Sequence, residues 1–338
     1  MNEPKKRLIS IIVPVLNEEE NIHPFYDAVK KELDKISGQY DYEFVFTDNR
    51  STDATFACLR ALAQSDGRVR VARLSRNFGY QKSILTGYCL ARGDVAIEMD
   101  CDLQDPPGLI PALIAKWKEG CEVVYGIRNS RQEGWIITRI RRIFYRFIHF
   151  LSDDNLPLNA GDFRLLDRKV LDSLKQLTDE APYLRGTIAR MGFNQLGIPY
   201  ERQKRLHGQG KFDFKNMVSL ALDGILNHSL VPLRCASFTG FLISAGLILY
   251  FGGLFFLSFF FHLPWPKGFA TTSVLILMSI SLNALFLGII GEYLRRIYRQ
   301  VKREPLTIID QTINLETAKP PEAAPDKSKV FARSGSDL

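Results

Sequence analysis

The chain of 338 residues lacks the two glycine-rich motifs by which many proteins bind nucleotides. No Gly-X-Gly-X-X-Gly follows its first apolar run, and no Gly-Lys-Ser/Thr loop occurs. The first motif brings the backbone close to a dinucleotide pyrophosphate, and the second cradles the phosphates of a nucleoside triphosphate. Their absence argues against a fingerprint-type dehydrogenase and against a P-loop NTPase. A nucleotide would have to be held by side chains and a metal ion.

Paired cysteines and a secretion signal are also missing. The five cysteines show no Cys-X-X-Cys spacing; they are Cys58, Cys89, Cys101, Cys121 and Cys235. This scatter argues against a zinc site or a disulfide framework and fits a reducing compartment. The charged residues 1–7 precede an apolar run, 8–16, that Pro14 interrupts. Because this run is too short for a signal peptide core with a cleavage site, we interpret it as the first strand.

Size and charge set the outer limits of function. A chain of this length can form one full α/β domain with an appendage. The formal net charge of +7 predicts an anionic partner, such as a nucleotide, a phosphate or a lipid headgroup, without choosing among them.

Apolar runs alternate with amphipathic stretches through the first part of the chain. The predicted strands are 8–15, 42–47, 69–74, 95–99 and 123–126, and the predicted helices are 22–36, 52–63, 81–91 and 109–119. This order predicts a doubly wound, mostly parallel sheet with right-handed crossovers. Polar residues follow three of the strands: Asn17 and Glu18, Asp48 and Asn49, and Asp100 and Asp102. Because ligands bind outside the carboxyl ends of such strands, we expect these residues to line one crevice.

An acidic segment follows the fourth strand and consists of Asp100, Asp102, Gln104 and Asp105. Its hard oxygen atoms suit Mg²⁺ or Mn²⁺, and a Mg²⁺ site commonly takes only one or two protein carboxylates beside substrate phosphates and water. The alternative is an acidic loop that caps the helix begun by Pro106 and Pro107.

Two basic segments could meet an anionic ligand. The first, 135–151, alternates arginines with apolar residues at helical spacing, which is typical of a helix on an anionic membrane surface or packed on the domain's own core. The second, 200–212, is glycine-rich and contains Arg202, Lys204, Arg205 and Lys211. Since arginine binds phosphate oxygens in bidentate fashion, this segment could clamp a diphosphate. A solvated surface loop is the alternative.

Between them, residues 159–167 place Asp162 and Arg164 beside Gly161 in an apolar context. The pattern predicts a tight turn that aims a carboxylate into a cleft. A buried Asp–Arg pair that holds the loop is the alternative.

Two long uncharged runs, 238–263 and 269–290, follow in the second half. Each reaches the roughly 20 residues that a membrane-spanning helix needs. Their short connection predicts a hairpin with Trp265 at the membrane interface. Arginine and lysine are concentrated after the second run, whereas the connection has only Lys267. The positive-inside rule therefore predicts that both chain ends and the α/β domain are cytoplasmic.

Several motifs, in order along the chain, resemble those of the family 2 glycosyltransferases. They are SIIVPVLNEEEN, TDNRSTD, LSRNFG, MDCDLQDPP, GIR, GDFRLLDR and GIIGEYLRRIY, together with the basic loop. More narrowly, residues 8–310 resemble the polyprenyl-phosphate glycosyltransferases, the GtrB-like and dolichyl-phosphate-mannose-synthase-like group. The resemblance implies a GT-A fold, a doubly wound mostly parallel sheet, followed by a two-helix transmembrane hairpin.

With this resemblance, the chain divides into six segments. They are a cytoplasmic GT-A domain, 1–211; an interfacial amphipathic segment, 212–232; two spans, 233–263 and 269–292; a juxtamembrane segment, 293–317; and a disordered tail, 318–338.

The resemblance also implies roles for individual residues. Those matching nucleotide contacts are Pro14, Leu16, Glu18, Thr47, Asp48, Asn49 and Asp100. Those matching contacts with the donor diphosphate or the lipid phosphate are Arg128, Arg202, Arg205 and Lys211. Those matching metal ligands are Asp102 and Gln104, with Asp100 beside them. Asp162 matches a carboxylate that has been assigned a catalytic role in related enzymes. Asp102 is the second residue that we expect to be essential for catalysis.

The implied reaction is a single displacement with inversion at a cytoplasmic membrane face. One sugar, expected to be glucose, would pass from a UDP-sugar to undecaprenyl phosphate, for modification of a cell-envelope glycan, with Mg²⁺ or Mn²⁺ as cofactor. The implied partners are the donor, the lipid acceptor and the bilayer, without nucleic acid, and relatives with this hairpin suggest a homo-tetramer.

One departure from the family pattern concerns the base. The family usually has Asp-Asp-Gly-Ser where this chain has Asp48-Asn49-Arg50-Ser51, which leaves recognition of the nucleotide base open.

Two other function classes remain as alternatives. A processive polysaccharide synthase would usually carry more spans and a Gln-X-X-Arg-Trp motif, which is absent here. The other alternative is a non-enzymatic membrane scaffold with a degenerate transferase domain.

Overall fold

A computed structural model describes most of the α/β part of the chain and its C-terminal apolar helix. The described residues are 6–128, 160–203 without 178, 180 and 181, scattered positions between 238 and 260, and 268–315 without 303 and 304. The predicted basic helix 135–151, the interfacial segment 212–232 and the tail 318–338 lie outside them.

Eight strands and seven α-helices make up the described elements. The strands are β1 Arg7–Val15, β2 Tyr40–Asp48, β3 Val69–Leu74, β4 Val95–Glu98, β5 Val123–Arg128, β6 Ala160–Asp167, β7 Gln195–Tyr200 and β8 Ile309–Ile313. The helices are α1 Ile22–Asp34, α2 Thr55–Ser65, α3 Tyr80–Leu90, α4 Ile110–Lys118, α5 Arg168–Leu174, α6 Leu184–Arg190 and α7 Phe269–Lys302. The five strands and four helices predicted before residue 128 are confirmed to within a few residues.

All eight strands form one sheet, in the order β7-β5-β6-β4-β1-β2-β3-β8. The central strands β4, β1, β2 and β3 are parallel, as predicted. Two strands run the other way: β6 is antiparallel to both β4 and β5, and β8 is antiparallel to β3. The sheet is therefore mixed, with a parallel centre.

The central strands are buried on both faces, which explains their unbroken apolar sequences. Because side chains alternate along a strand, Ile11 and Val13 of β1 join one core with α1, α2 and α4, while Ile12 joins the other with α3, α5 and α6. The same alternation separates Phe44 from Val45 in β2. Both faces are closed, so polar residues at the strand ends are confined to the rim of the sheet.

The segment predicted as a tight turn is a strand instead. Residues Ala160–Asp167 form β6, inserted between β4 and β5, with Glu98 opposite Arg164. The glycine and the charged pair suggested a turn because charges are rarely placed in a central strand. Partners from other parts of the chain make the burial possible, as described below.

The C-terminal part returns to the sheet after a long apolar helix. Leu275–Lys302, within α7, is long and apolar enough to cross a membrane. With 34 residues, α7 is about 51 Å long and continues beyond the predicted end of the second span at 292. After it, β8 pairs with the edge of β3. Of the predicted first span, 233–263, only scattered positions such as Phe238 and Leu242 are described, and these are helical. The hairpin stays a prediction.

Candidate active site

A tight acidic turn follows β4 at the carboxyl edge of the sheet. Asp102 and Asp105 are buried there, and Asp100 is half-buried. The backbone N–H of Gln104 donates to Asp102 Oδ1 at 3.1 Å, and Leu103 adopts a left-handed conformation with φ 55°. These two features fold the turn back on itself, so the carboxylates collect at the end of one strand.

Asp105 connects the turn with an arginine and a tyrosine. The Tyr200 hydroxyl donates to Asp105 Oδ1, and Arg128 Nε donates to the Tyr200 oxygen at 3.1 Å. Arg128 Nη2 lies 3.6 Å from Asp105 Oδ2, and the guanidinium lies against the backbone of Gly161. Burial alone would lower the pKa of Arg128, but the charge of Asp105 and the hydrogen bond to Tyr200 raise it above its usual value. A fixed cation therefore lies beside the acidic turn.

The first residues after β7 also lie beside the acidic turn. Gln203 N donates to Gln104 O at 2.9 Å, and Gln104 Nε2 donates to Gln203 O at 3.4 Å. Arg202, which directly precedes Gln203, is exposed. The predicted phosphate contacts Arg205 and Lys211 lie outside the described residues. Of the four predicted basic residues, Arg128 thus contacts the acidic turn directly, and Arg202 is next in sequence to a residue that contacts it.

Asp162 is buried in β6 and paired with arginine. Arg185 of α6 donates to both of its oxygens, Nε to Oδ1 at 2.9 Å and Nη2 to Oδ2 at 2.6 Å. Arg164 Nη2 lies 3.8 Å from Asp162 Oδ1 and also donates to the carbonyl of Gly161. Burial alone would raise the pKa of Asp162, but the hydrogen bonds and charge of Arg185 lower it below its usual value. Asp162 is therefore ionised at neutral pH, as in the predicted buried Asp–Arg pair, except that its main partner is Arg185.

A hydroxyl links two further acids at the end of β4. The Tyr80 hydroxyl lies 2.6 Å from Asp100 Oδ1 and 3.3 Å from Glu98 Oε1. Glu98 is fully buried, and its Oε2 has no hydrogen-bond partner among the residues that the structure describes. Burial, with the repulsion of Asp100 and Asp162, raises the pKa of Glu98 well above its usual value. The hydroxyl therefore bridges two carboxyl groups, and the raised pKa of Glu98 favours its neutral form.

The ends of β1 and β2 are held together by side chains. Asn17, with φ 56°, donates its backbone N–H to Ser51 Oγ, and its side-chain oxygen accepts from Thr52 N. Glu18 N donates to Thr55 Oγ1, and Glu18 Oε2 accepts from Asn21. Together these contacts bring the first two strand ends to one rim, as predicted.

Two predicted nucleotide contacts have internal partners. Thr47 is fully buried and accepts a hydrogen bond from Ser83 of α3 at 2.9 Å. Asp48 is also fully buried, accepts from Ser51 N at 2.8 Å, and has Arg73 Nε 3.2 Å from its Oδ2. Pro14, buried in β1 opposite Thr47, and the half-buried Leu16 lie at the same rim.

The side chain of Asn49 is occupied by the loop before α3. Its Nδ2 donates to Asn77 Oδ1 at 2.8 Å, and its Oδ1 accepts from Phe78 N at 2.9 Å. An asparagine supplies the donor and the acceptor that these two contacts need, whereas an ionised aspartate supplies acceptors only. Arg50 adopts φ 67° and forms a 2.6 Å ion pair with Asp310 of β8. Both departures from the family pattern therefore have a partner in the fold.

The acidic turn fits a divalent cation. Burial and the neighbouring carboxylates Asp105, Asp102 and Asp162 raise the pKa of Asp100 to about 6, although the hydrogen bond from Tyr80 lowers it. A cation would relieve this repulsion, and carboxylate and amide oxygens are the ligands that Mg²⁺ and Mn²⁺ prefer. Among the described residues, no group of three or more His, Cys, Asp or Glu is arranged to hold a metal ion. A Mg²⁺ site commonly takes one or two protein carboxylates, with substrate phosphates and water as its other ligands.

Sequence reasoning missed Arg185, Tyr200, Tyr80 and Glu98. A glutamate in a strand buried on both faces is itself an anomaly, so Glu98 could have been found from its position in β4. Nothing local marks Arg185, because its role depends on the distant Asp162.

The chain is similar to known proteins over most of its length. Residues 10–175 match the family described as glycosyl transferase family 2. A protein of Bacillus subtilis (strain 168) named "Uncharacterized glycosyltransferase YkcC" is 39% identical over 311 residues, which cover 92% of this chain and 95% of the relative. The "Bactoprenol glucosyl transferase" of Shigella phage SfII is 34% identical over 305 residues, which cover 90% of this chain and 98% of the relative. Among solved structures, glucosyl-3-phosphoglycerate synthase from Mycobacterium tuberculosis shares 19% identity at a TM-score of 0.47, with 65% of this chain and 78% of that chain covered.

Proposed function

The chain belongs to glycosyl transferase family 2, and from that premise we propose that it transfers a single sugar from a UDP-sugar to undecaprenyl phosphate. One juxtaposition carries the proposal. The acidic turn after β4 lies beside Arg128 and the Arg202–Gln203 segment at the rim of the sheet. A nucleotide-sugar donor needs a bound metal ion at its diphosphate, which the acidic turn would hold. It also needs positive charge near the leaving group, which the arginines would supply.

The basic residues would act on the leaving diphosphate. Breaking the bond between the anomeric carbon and oxygen builds negative charge on that group, and fixed cations stabilise developing charge without reorganising. Arg128 is held by Tyr200 and Asp105, so its guanidinium is already in place. Arg202, with Arg205 and Lys211 from the following segment, would complete the clamp.

Asp102 and Gln104 would hold Mg²⁺ or Mn²⁺, with Asp100 beside them. When bound, such an ion supplies a concentrated positive charge to the diphosphate oxygens. The turn itself contributes the fixed position of Asp102, whose Oδ1 is held by Gln104 N.

Asp162 would position groups rather than remove a proton. Its lowered pKa and its two hydrogen bonds from Arg185 leave it ionised and occupied at neutral pH. A lipid monophosphate needs no general base, because its second pKa is near 6 by analogy with phosphorylated side chains. The acceptor oxygen is then already a nucleophile when it reaches the anomeric carbon.

Two observations support the proposed acceptor and membrane location. The relative from Shigella phage is named a bactoprenol glucosyl transferase, and α7 contains a stretch able to cross a membrane. An enzyme acting on a lipid phosphate needs its cleft at the membrane surface, where arginine and lysine attract the anionic headgroup. We place the α/β domain on the cytoplasmic side and the product in cell-envelope glycan modification.

The test uses the full chain in membranes containing undecaprenyl phosphate. A panel of UDP-sugars is offered with Mn²⁺, and the product is analysed by mass spectrometry and by NMR of the anomeric proton. We expect one sugar per lipid, with UDP-glucose preferred and a β-linkage formed from the α-linked donor. A polymer, a retained configuration, or no lipid product from any sugar would overturn the proposal. Asp41→Asn removes an exposed carboxylate near the opposite end of β2, and this variant should transfer the sugar as the native protein does.

A further inference from the structure

Tyr80 is the one large hydrophobic side chain exposed in the described part of the sheet domain before the apolar segments, residues 6–128 and 160–203. It is 40% exposed, whereas the other large exposed apolar residues that the structure describes lie at 238 or beyond. Leaving an aromatic ring in water is unfavourable relative to burying it. This exposed side chain lies at the rim that carries the acidic turn, where its hydroxyl contacts Asp100.

The position of this ring is fixed at both ends. Its hydroxyl is hydrogen-bonded to Asp100 at 2.6 Å and lies 3.3 Å from Glu98. Its backbone follows Gly79, which has φ 96° and donates its N–H to Asn77 Oδ1. The ring consequently stays at the rim with its exposed surface available, instead of folding into the core.

The first turn of α3 contacts two carboxylates of the candidate site, Asp100 and Asp162. Tyr80 binds Asp100 at the end of β4, while the next residue, Gln81, hydrogen-bonds Asp162 of β6 and accepts from Leu184 N at 3.1 Å. The start of α3 thus contacts the two carboxylates that the proposed function assigns to the reaction centre.

We propose that the exposed ring of Tyr80 is the surface on which the sugar ring of the donor packs, while its hydroxyl holds Asp100 in place. This inference rests on the proposed function, because it assigns one more residue to the same site. A pyranose has an apolar C–H face and a polar rim of hydroxyls. An aromatic ring complements the face, and carboxylate oxygens accept hydrogen bonds from hydroxyls. An isoprenoid tail has an apolar surface alone and offers no hydroxyl groups to the carboxylates near the ring.

The experiment compares UDP with UDP-glucose, because only the second carries a sugar. Calorimetry on the full chain in nanodiscs with Mn²⁺ measures both affinities for the native protein, Tyr80→Ala and Tyr80→Phe. We expect Tyr80→Ala to weaken UDP-glucose binding about fivefold to tenfold, as for loss of an aromatic contact, and to leave UDP binding unchanged. Tyr80→Phe keeps the ring and should retain UDP-glucose affinity while kcat falls, because Asp100 loses its hydrogen bond.

The outcomes separate this inference from the proposed function. If the native protein binds neither UDP nor UDP-glucose, the proposed function fails. If UDP binds and Tyr80→Ala leaves the ratio of the two affinities unchanged, the sugar contact is wrong. A raised KM for undecaprenyl phosphate with unchanged donor affinity would also overturn it, because the ring would then meet the lipid. Should the alanine variant unfold, Tyr80→Leu fills the space without an aromatic ring, and native UDP-glucose affinity in it would contradict the stacking role.

Discussion

Arg185 binds Asp162 through two parallel hydrogen bonds, of 2.9 and 2.6 Å, although the two residues belong to different elements of the fold. The pair places an ionised carboxylate next to the first turn of α3. It also keeps that carboxylate from acting as a free base. The stability and the pH response of the domain should depend on it.

Replacing Arg185 by methionine should make stability fall as pH rises. In the native protein the pKa of Asp162 is lowered, so its stabilisation is present above the unfolded value of about 3.8 and is lost as pH falls. Without Arg185, burial would raise the pKa, and stability would then be lost as pH rises. The difference in melting temperature between native and Arg185→Met should therefore widen from pH 4 to pH 7.

The loss at pH 7 should be about 1–3 kcal/mol, less than for a fully buried pair, because Arg185 is partly exposed. Lys169→Met removes a cation that is 73% exposed and serves as the control. A difference that stays constant over this range would contradict the assigned charge state of Asp162.

Asp102→Asn should abolish transfer without unfolding the turn. An asparagine retains the Oδ1 that accepts from Gln104 N, but it removes the charge expected to hold the cation. We expect a loss of about 10²- to 10³-fold in kcat, typical of removing a group that stabilises developing charge. Transfer is measured with radiolabelled UDP-sugar, and folding by thermal denaturation. EDTA should give the same loss in the native protein, and added Mn²⁺ or Mg²⁺ should reverse it. More than a tenth of native activity in either case would exclude the metal site.

Gly161→Ala should lower activity while stability stays the same or rises. A Cβ at this position would come within 3.1 Å of Arg128 Nε and 3.2 Å of its Nη2, so the guanidinium would have to move by a few tenths of an ångström. The substitution itself gains about 0.5–1 kcal/mol by reducing the entropy of the unfolded chain. We expect an increased KM for the UDP-sugar, seen in steady-state kinetics.

Gly67→Ala is the matched control for this variant, because no described residue other than its chain neighbours lies within 4 Å of the Cβ it would add. An unchanged KM in Gly161→Ala would show that the position of Arg128 is not important for donor binding.

Arg50→Gly, which restores the residue usual in the family, should change the free energy of unfolding by no more than about 1 kcal/mol. Glycine relieves the cost of a left-handed residue but adds entropy to the unfolded chain. The lost ion pair with Asp310 is exposed and contributes about 0–1 kcal/mol. Urea titration measures the net change in the free energy of unfolding. A loss above about 2 kcal/mol would mean that this pair is a principal attachment of β8 to the sheet, and Asp310→Ala should then show the same loss.

The sequence was sufficient to predict the parallel centre of the sheet and the acidic turn. Strand periodicity and length are local properties, so β1 to β4 could be located from their apolar runs. The carboxyl ends of parallel strands share one rim, so Asp100 and Asp102 were correctly expected beside the ends of β1 and β2. What could not be predicted was which residue each acid would contact.

Local sequence determined the strands and the rim where the polar residues meet; tertiary structure alone determined their partners. Asp162 was expected in a turn, but it lies in a strand because Arg185, 23 positions away, satisfies its charge. Arg50 meets Asp310 across 260 positions, through a five-residue strand that has no strong pattern of its own. Periodicity specifies which face of an element is buried, whereas a buried charge or an open sheet edge is stabilised by whichever distant residue the completed fold brings to it.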